Sequence, residues 1–262
     1  MRFPGNVCQK GGDRVEQDER GVLGRIIERS RRIVFFGGAG VSTASGIPDF
    51  RSPGGLYSRT FDGLSPEMIL SRSFFTLHPD RFFDFYRRYM ICPKAVPNAV
   101  HRWLFRLEQE DRLRGIVTQN IDGLHRAAGN LRVYELHGSV HENECMDCGA
   151  SYPLSKITET DGVPRCDACG GIVKPSVVLY GEPLPYYVCI GAKREIASAD
   201  TLIVAGTSLS VEPAASFIEG FRGDHLIVIN REETPADHYA DLVFHGDVIP
   251  VLTREGILPL DS

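Results

Sequence analysis

The chain lacks any apolar run of the roughly 18 residues that a spanning helix needs, which excludes a membrane-embedded bundle. Its first stretch, MRFPGNVCQKGGDRVEQDERG, lacks the apolar centre of a secretory signal. Residues 1–20 therefore read as a flexible extension, and the cytoplasm is the expected location. A basic excess is also missing. Lys and Arg number 29 against 34 Asp and Glu, a net charge of −5. With no basic stripe interleaved with aromatics, neither a nucleic-acid nor a membrane partner is expected. There is no repeat of fixed period and no low-complexity tract. What is present is a chain of 262 residues, 42% hydrophobic and 24% charged, enough for one large domain with a small insert. Seven cysteines stand out, because disulfides are rare in the cytosol.

Apolar runs alternate with glycine-rich or polar loops and helical spacing. Residues 22–29 place Leu23, Ile26 and Ile27 on one helical face, and lead into a buried strand at 33–36. Ser65 with Pro66 reads as an N-cap and N1 pair opening a short helix to Leu70. Helical turns follow at 73–77, 79–90 and 99–110, the last holding Trp103, read as core. Strands are expected at 115–118, 132–136, 201–205, 225–230 and 241–244. Helices are expected at 124–128, 185–198, 213–219 and 248–255. Strand, loop and helix in succession imply an α/β fold: a Rossmann-like parallel sheet with helices on both faces, and ligand at the carboxyl ends of its strands. The folded unit is placed at 21–255, with a helical insert at about 60–95, a metal-held module at about 139–175 and a tail at 256–262.

The chemistry-bearing residues fall at those strand ends. Gly37-Gly38-Ala39-Gly40 closes the first strand. Such glycines suit close approach of a phosphate and a following helix N-terminus, but Thr43 stands where the strict GxGxxG pattern needs its third glycine. After it runs a long loop holding Asp49, Phe50 and Arg51, read as covering a cofactor. Gln119-Asn120-Ile121-Asp122 ends the second strand, His137 the third, Gly206-Thr207-Ser208 the fourth and Asn230 the fifth, while Asp247 precedes the last helix. Turn chemistry explains any one of these; their convergence points to a site, with His137 a candidate general base. Cys145-x2-Cys148-x17-Cys166-x2-Cys169 matches paired zinc knuckles. Four thiolates complete a tetrahedron and leave no open position, so the zinc is expected to be structural. Cys8, Cys92 and Cys189 are left as ordinary thiols.

Together GAGVSTASGIPDFR at 38–51, TQNIDGLH at 118–125, ELHG at 135–138, the cysteine quartet, YGE at 180–182, GTSLSVEPAA at 206–215 and IN at 229–230 resemble the sirtuins, in that family's order. Gly37 stands where Thr is frequent there, and Tyr180 where Phe is common. The resemblance implies a large Rossmann-like domain, a small domain of zinc module plus helical insert, and NAD-dependent deacetylation of acetyl-lysine proteins or peptides. It implies NAD as co-substrate along Ala39, Thr43, Phe50, Arg51, Gln119, Asn120, Thr207, Ser208, Asn230 and Asp247. Ile121 and Asp122 would hold the nicotinamide amide, and Asn120 would order a ribose or a water. His137 would be the general base and would also contact NAD, Asn120 and Asp122 would complete the catalytic set, and residues 178–181 and 210–212 would flank the peptide. Products would be free lysine, nicotinamide and O-acetyl-ADP-ribose. A Tyr-x-x-Arg pair marks family members that prefer acidic acyl groups; here the positions read Tyr86-Arg87-Arg88-Tyr89, so deacetylation rather than desuccinylation is expected. The rival readings are a mono-ADP-ribosyltransferase and a non-catalytic NAD-sensing regulator.

Overall fold

A computed structural model describes residues 12–50, 55–58 and 60–258. Six parallel strands form the main sheet: β1 (Ile33–Gly37), β2 (Leu113–Thr118), β3 (Val133–Glu135), β7 (Thr201–Ala205), β8 (His225–Asn230) and β9 (Leu242–His245). Their order is β3-β2-β1-β7-β8-β9. Counted along the chain, that is the 3-2-1-4-5-6 arrangement of dinucleotide-binding sheets, whose order reverses between the first and fourth strands. A crevice must open there, beyond Gly37 of β1 and Ala205 of β7, which lie side by side.

Both faces of the sheet are covered, so its strands are continuous apolar runs rather than alternating ones. Ile33 and Phe35 point to the face covered by α1 (Gly12–Arg29), α5 (Ala99–Gln109) and α9 (Val248–Arg254), where Trp103 is buried among core residues as expected. Val34 and Phe36 point to the opposite face, covered by α8 (Tyr186–Ser198). Helix α1 begins at Gly12 and so overlaps the stretch read as an extension. Residues 13–20 are mostly good helix formers. The expected helix at 213–219 is instead a 3-10 turn, Ala215–Gly220. With three residues per turn, Ala214 aligns with Phe217 and Ala215 with Ile218, and all four are buried on the sheet.

The small unit consists of the insert helices α2 (Pro66–Ile69), α3 (Arg72–Leu77) and α4 (Pro79–Tyr89), with an antiparallel sheet of β4 (Gly138–Cys145), β5 (Ser151–Tyr152) and β6 (Val173–Val177) and the short helix α7 (Ser155–Thr158). The Ser65 side chain accepts from Met68 N–H at 3.3 Å, so the N-cap reading holds. Phe74, Phe75, Phe82, Phe83, Phe85 and Tyr86 share one core with Ile157, Val173, Cys145 and Cys166. The aromatic helix therefore packs against the cysteine module rather than against the main sheet. Helix α6 (Leu124–Ala127) lies after β2.

One core detail has a consequence for stability. His101 of α5 and His125 of α6 are both buried, with ring centroids 4.6 Å apart. Among the described residues, both nitrogens of His125 and Nε2 of His101 have no hydrogen-bond partner. Burial pushes the His101 pKa down to about 4, with Arg102 adding to this, and that of His125 well below its ordinary value, with His101 adding to this. The fold thus favours neutral imidazoles. Their contribution is complete above the unfolded pKa near 6.5 and is lost as pH falls through that value toward 4. For His101 alone the loss is roughly 3 kcal/mol. The melting temperature is expected to drop steeply between pH 6.5 and 4.5, and less so in His125→Leu. A flat wild-type profile over that range would show that the pair does not act this way.

Candidate active site

The end of β1 is built around close backbone approach. Gly38 N–H donates to the Ala205 carbonyl at 3.1 Å and Gly40 N–H to the Gly206 carbonyl at 2.9 Å. A Cβ on Gly38 would lie 2.7 Å from the Gly206 carbonyl oxygen, and one on Gly40 2.7 Å from the Gly206 Cα. These glycines are thus required by the packing of two strand-end turns, not only by a phosphate. Nor does a regular helix start there: two 3-10 turns follow, Ala39–Val41 and Thr43–Ser45. The Gly38 and Gly40 amides are thus spent within the protein, while Ala39 and Gly40 still line the adjoining cavity.

At this switch point lies a cavity of about 340 Å³. Its walls include Ala39, Phe50, Gln119, Asn120, Ile121, His137, Thr207, Ser208, Asn230 and Asp247, so the strand ends do converge. Residues 177–182 and 211–213 line the same space. Thr43 does not line it, and its hydroxyl turns back to the Gly40 carbonyl at 3.1 Å. Asp122 is also absent from the walls: its Oδ1 accepts from Leu124 N–H at 2.8 Å, opening α6, and its Oδ2 accepts from the Ser42 hydroxyl at 2.7 Å. Burial pushes its pKa up, against the opposing effects of the Ser42 and Leu124 hydrogen bonds and His141. Arg51 lies outside the described residues.

The polar groups are ordered by one another. Ser42 is buried and was not singled out in the sequence, where it is one hydroxyl in a small-residue run. It accepts from Asn120 Nδ2 at 3.0 Å while donating to Asp122, so it joins the two. Gln119 accepts at Oε1 from the Thr207 hydroxyl at 2.7 Å. Its Nε2 is buried, has no partner among the described residues and belongs to a residue of the cavity wall, so a ligand acceptor would satisfy it. Arg231, also missed, bridges Asp247 through a short contact and reaches Asp49 at 3.9 Å, tying the covering loop to the last helix. Phe50 packs on Tyr57 with centroids 5.3 Å apart.

His137 has the geometry of a base. Its Nδ1 is 2.9 Å from the Gln119 carbonyl. A carbonyl only accepts, so Nδ1 carries the proton and Nε2 keeps its lone pair. Burial pushes the pKa below the ordinary imidazole value, and the bond to Gln119 partly offsets this.

The four cysteine sulfurs lie within 4.8 Å of one another. Cys145 and Cys169 sulfurs are 3.4 Å apart, and Cys148 and Cys166 3.6 Å. A zinc–sulfur bond of about 2.3 Å in a tetrahedron sets neighbouring sulfurs about 3.8 Å apart, close to these separations. In each knuckle the amide four residues after the first cysteine closes the turn: Gly149 N–H to Cys145 at 3.0 Å, and Gly170 N–H to Cys166 at 2.9 Å. The donor set fits a structural zinc.

A doubly wound sheet with a polar cavity at its switch point, and a closed thiolate knuckle in a small second unit, define a zinc-bearing, dinucleotide-using enzyme. The Sir2 family model matches residues 38–213. The chain is 55% identical over 240 residues to a Cutibacterium acnes NAD-dependent protein deacetylase, covering 90% of this chain and 98% of that protein. It is 52% identical over 238 residues to one from Clostridium acetobutylicum, covering 90% and 97%. A solved Sir2 complex with a p53 peptide and NAD+ superposes with a TM-score of 0.77 at 35% identity, covering 90% of this chain and 97% of that one. The chain belongs to the Sir2 family, the sirtuins.

Proposed function

We propose that this cleft deacetylates acetyl-lysine in proteins or peptides, passing the acetyl group to the ADP-ribose part of NAD and releasing nicotinamide. NAD, when bound, supplies an electrophilic ribose carbon carrying a cationic leaving group. Gln119, Thr207, Ser208, Asn230 and Asp247 bind it along the strand ends, and Ala39 and Phe50 wall it in. Asn120 is held by Ser42 and orders a ribose hydroxyl or water. Ile121 faces the nicotinamide end, while Asp122 acts from behind the wall by fixing Ser42 and α6. His137 takes the proton of a hydroxyl at Nε2 and holds its own at Nδ1. Arg51 and Thr43 remain candidates for phosphate and ribose contact. Residues 178–181 and 210–212 flank the peptide, and the reaction belongs in the cytoplasm. No helix of the described residues is long and apolar enough to cross a membrane.

The observation that carries this reading is His137, its Nδ1–H donating to the Gln119 carbonyl, on the wall of a cavity shared by the strand-end polar groups and residues 178–181. The test is mass spectrometry of products from NAD and an acetyl-lysine peptide. Equal amounts of free lysine, nicotinamide and O-acetyl-ADP-ribose are expected. ADP-ribose attached to protein, or free acetate without the acetylated sugar, would overturn the proposal.

Acyl choice follows from the cavity. Tyr86 is fully buried and stacks on Phe82 rather than facing the cleft. Arg87 donates to the Ile157 carbonyl at 2.7 Å, and Arg88 pairs with Asp84 at 2.8 Å. Tyr89 packs on Phe61 and Phe85. Met90, Leu70 and Ile121 line the cavity instead, and Arg231 is the only Lys or Arg among its described lining residues. An unpaired carboxylate there costs several kcal/mol. Acetyl-lysine should be processed at least about a hundredfold more efficiently than succinyl-lysine. Because Met90 reaches the cavity and Tyr89 does not, Met90→Arg is the substitution that should narrow the gap. A wild type that prefers succinyl substrate would contradict this reading.

A further inference from the structure

Residues 174–182 carry the chain from the cysteine-bearing sheet into the cleft, and one ion pair folds this segment onto itself. Lys174 of β6 directs Nζ to three acceptors: Glu182 Oε2 at 3.1 Å, the Pro175 carbonyl at 3.1 Å and the Val177 carbonyl at 2.9 Å. An ammonium has three N–H donors, so every one is used. Glu182 Oε2 also accepts from Leu179 N–H at 2.9 Å. The Glu182 amide in turn donates to the Leu179 carbonyl at 2.9 Å, closing a turn in which Gly181 has φ of +89°. A side chain there would be strained, and glycine is the residue this turn needs. The two charged side chains are only 16% and 20% exposed, so solvent weakens their attraction little.

The flanks of the segment are anchored as well. Val178 N–H donates to the His137 carbonyl at 2.9 Å. Tyr180 accepts from Arg72 N–H at 2.9 Å and donates to the Leu70 carbonyl at 3.0 Å. One stretch of backbone thus touches the residue read as the base, the helical insert and, through β6, the zinc module. The Lys174–Glu182 pair is what ties its two ends together.

We infer that Lys174 and Glu182 are positioning residues that hold residues 178–181 in the conformation an acyl-lysine peptide adds to. The inference rests on the reading of 178–181 as a peptide-binding wall. Without the clip the peptide must order that wall as it binds, and the cost falls on peptide affinity rather than on the chemical step. NAD lies on the strand-end side and is unaffected.

The test compares wild type with Glu182→Ala, Lys174→Met and the double variant, each with zinc content and melting temperature measured. KM for an acetyl-lysine peptide should rise at least fivefold in each single variant. The double variant should be no worse than the singles, because one interaction is lost in all three. The kcat at saturating peptide and the ADP-ribose affinity should stay within about threefold of wild type. Hydrogen exchange of the 178–182 amides should be slowed by peptide in wild type and be faster in the free variants. Unchanged KM and unchanged exchange in variants, with peptide protection intact in wild type, would overturn the clip and leave the wall standing. Absence of peptide protection in wild type would overturn the wall and the clip with it. Parallel loss of ADP-ribose binding, zinc and melting temperature in every variant would show a purely structural pair, and would also overturn the inference.

Discussion

Replacing His137 with Ala is expected to lower deacetylation a hundred- to ten-thousandfold, the range set by loss of a positioned general base. The fold should persist, because among the described residues the imidazole's one hydrogen bond is to the Gln119 carbonyl and its ring lines the cavity rather than the core. ADP-ribose binding should stay within severalfold of wild type. The pH profile gives a second check. The active imidazole is neutral, and burial pushes its pKa below the ordinary value near 6.5. The base is therefore available throughout neutral pH, and activity falls only as pH drops through that lowered value. The acidic limb of kcat/KM should have its midpoint below 6.5. A His137→Ala enzyme of full activity, or an acidic limb centred above 7, would show that another group is the base.

Loss of zinc is the other large effect. The cysteine quartet that would hold it belongs to the small unit and does not line the cavity, yet Cys145 and Cys166 are buried in the core that also holds Phe82, Phe83 and Tyr86. A structural zinc contributes folding free energy of the order of 10 kcal/mol to its module, and that module carries β6 into residues 178–181. Tyr152 fixes the knuckle by donating to the Cys166 sulfur at 3.1 Å and accepting from Asp167 N–H at 2.8 Å. Chelation, or Cys166→Ser, should release one zinc per chain and lower the melting temperature by 10 °C or more. Activity should fall at least tenfold, mainly through peptide KM, with ADP-ribose binding less affected. An enzyme stripped of zinc that keeps its melting temperature and activity would refute a structural role for the quartet.

Much of the architecture could be read from local pattern. The strands Thr201–Ala205 and His225–Asn230 lie where their apolar runs begin and end, because a strand buried on both faces must be apolar throughout. The knuckles were legible because metal-ligand spacing is short-range chemistry. The strand-end polar residues were legible because a parallel sheet places its ligand at those ends whatever the helices do. Local pattern misled where a competing partner lay far along the chain. The Pro213 region looked helical, yet burial of Ala214, Ala215, Phe217 and Ile218 is met by a tighter turn. The glycines after β1 also answer to the close approach of Gly206, a demand that no local pattern shows.

The sequence by itself determined the α/β class, the metal quartet and the set of polar residues at the strand ends, since each depends on periodicity or on contacts a few residues long. The tertiary structure decided what each of those residues faces. Ser42 joins Asn120 to Asp122 across 78 and 80 positions of chain, Arg231 reaches both Asp49 and Asp247, and Tyr86 turns into a core while Met90 meets the cavity. Such pairings are set by which strands lie side by side and which helical face is buried, and no local pattern encodes them.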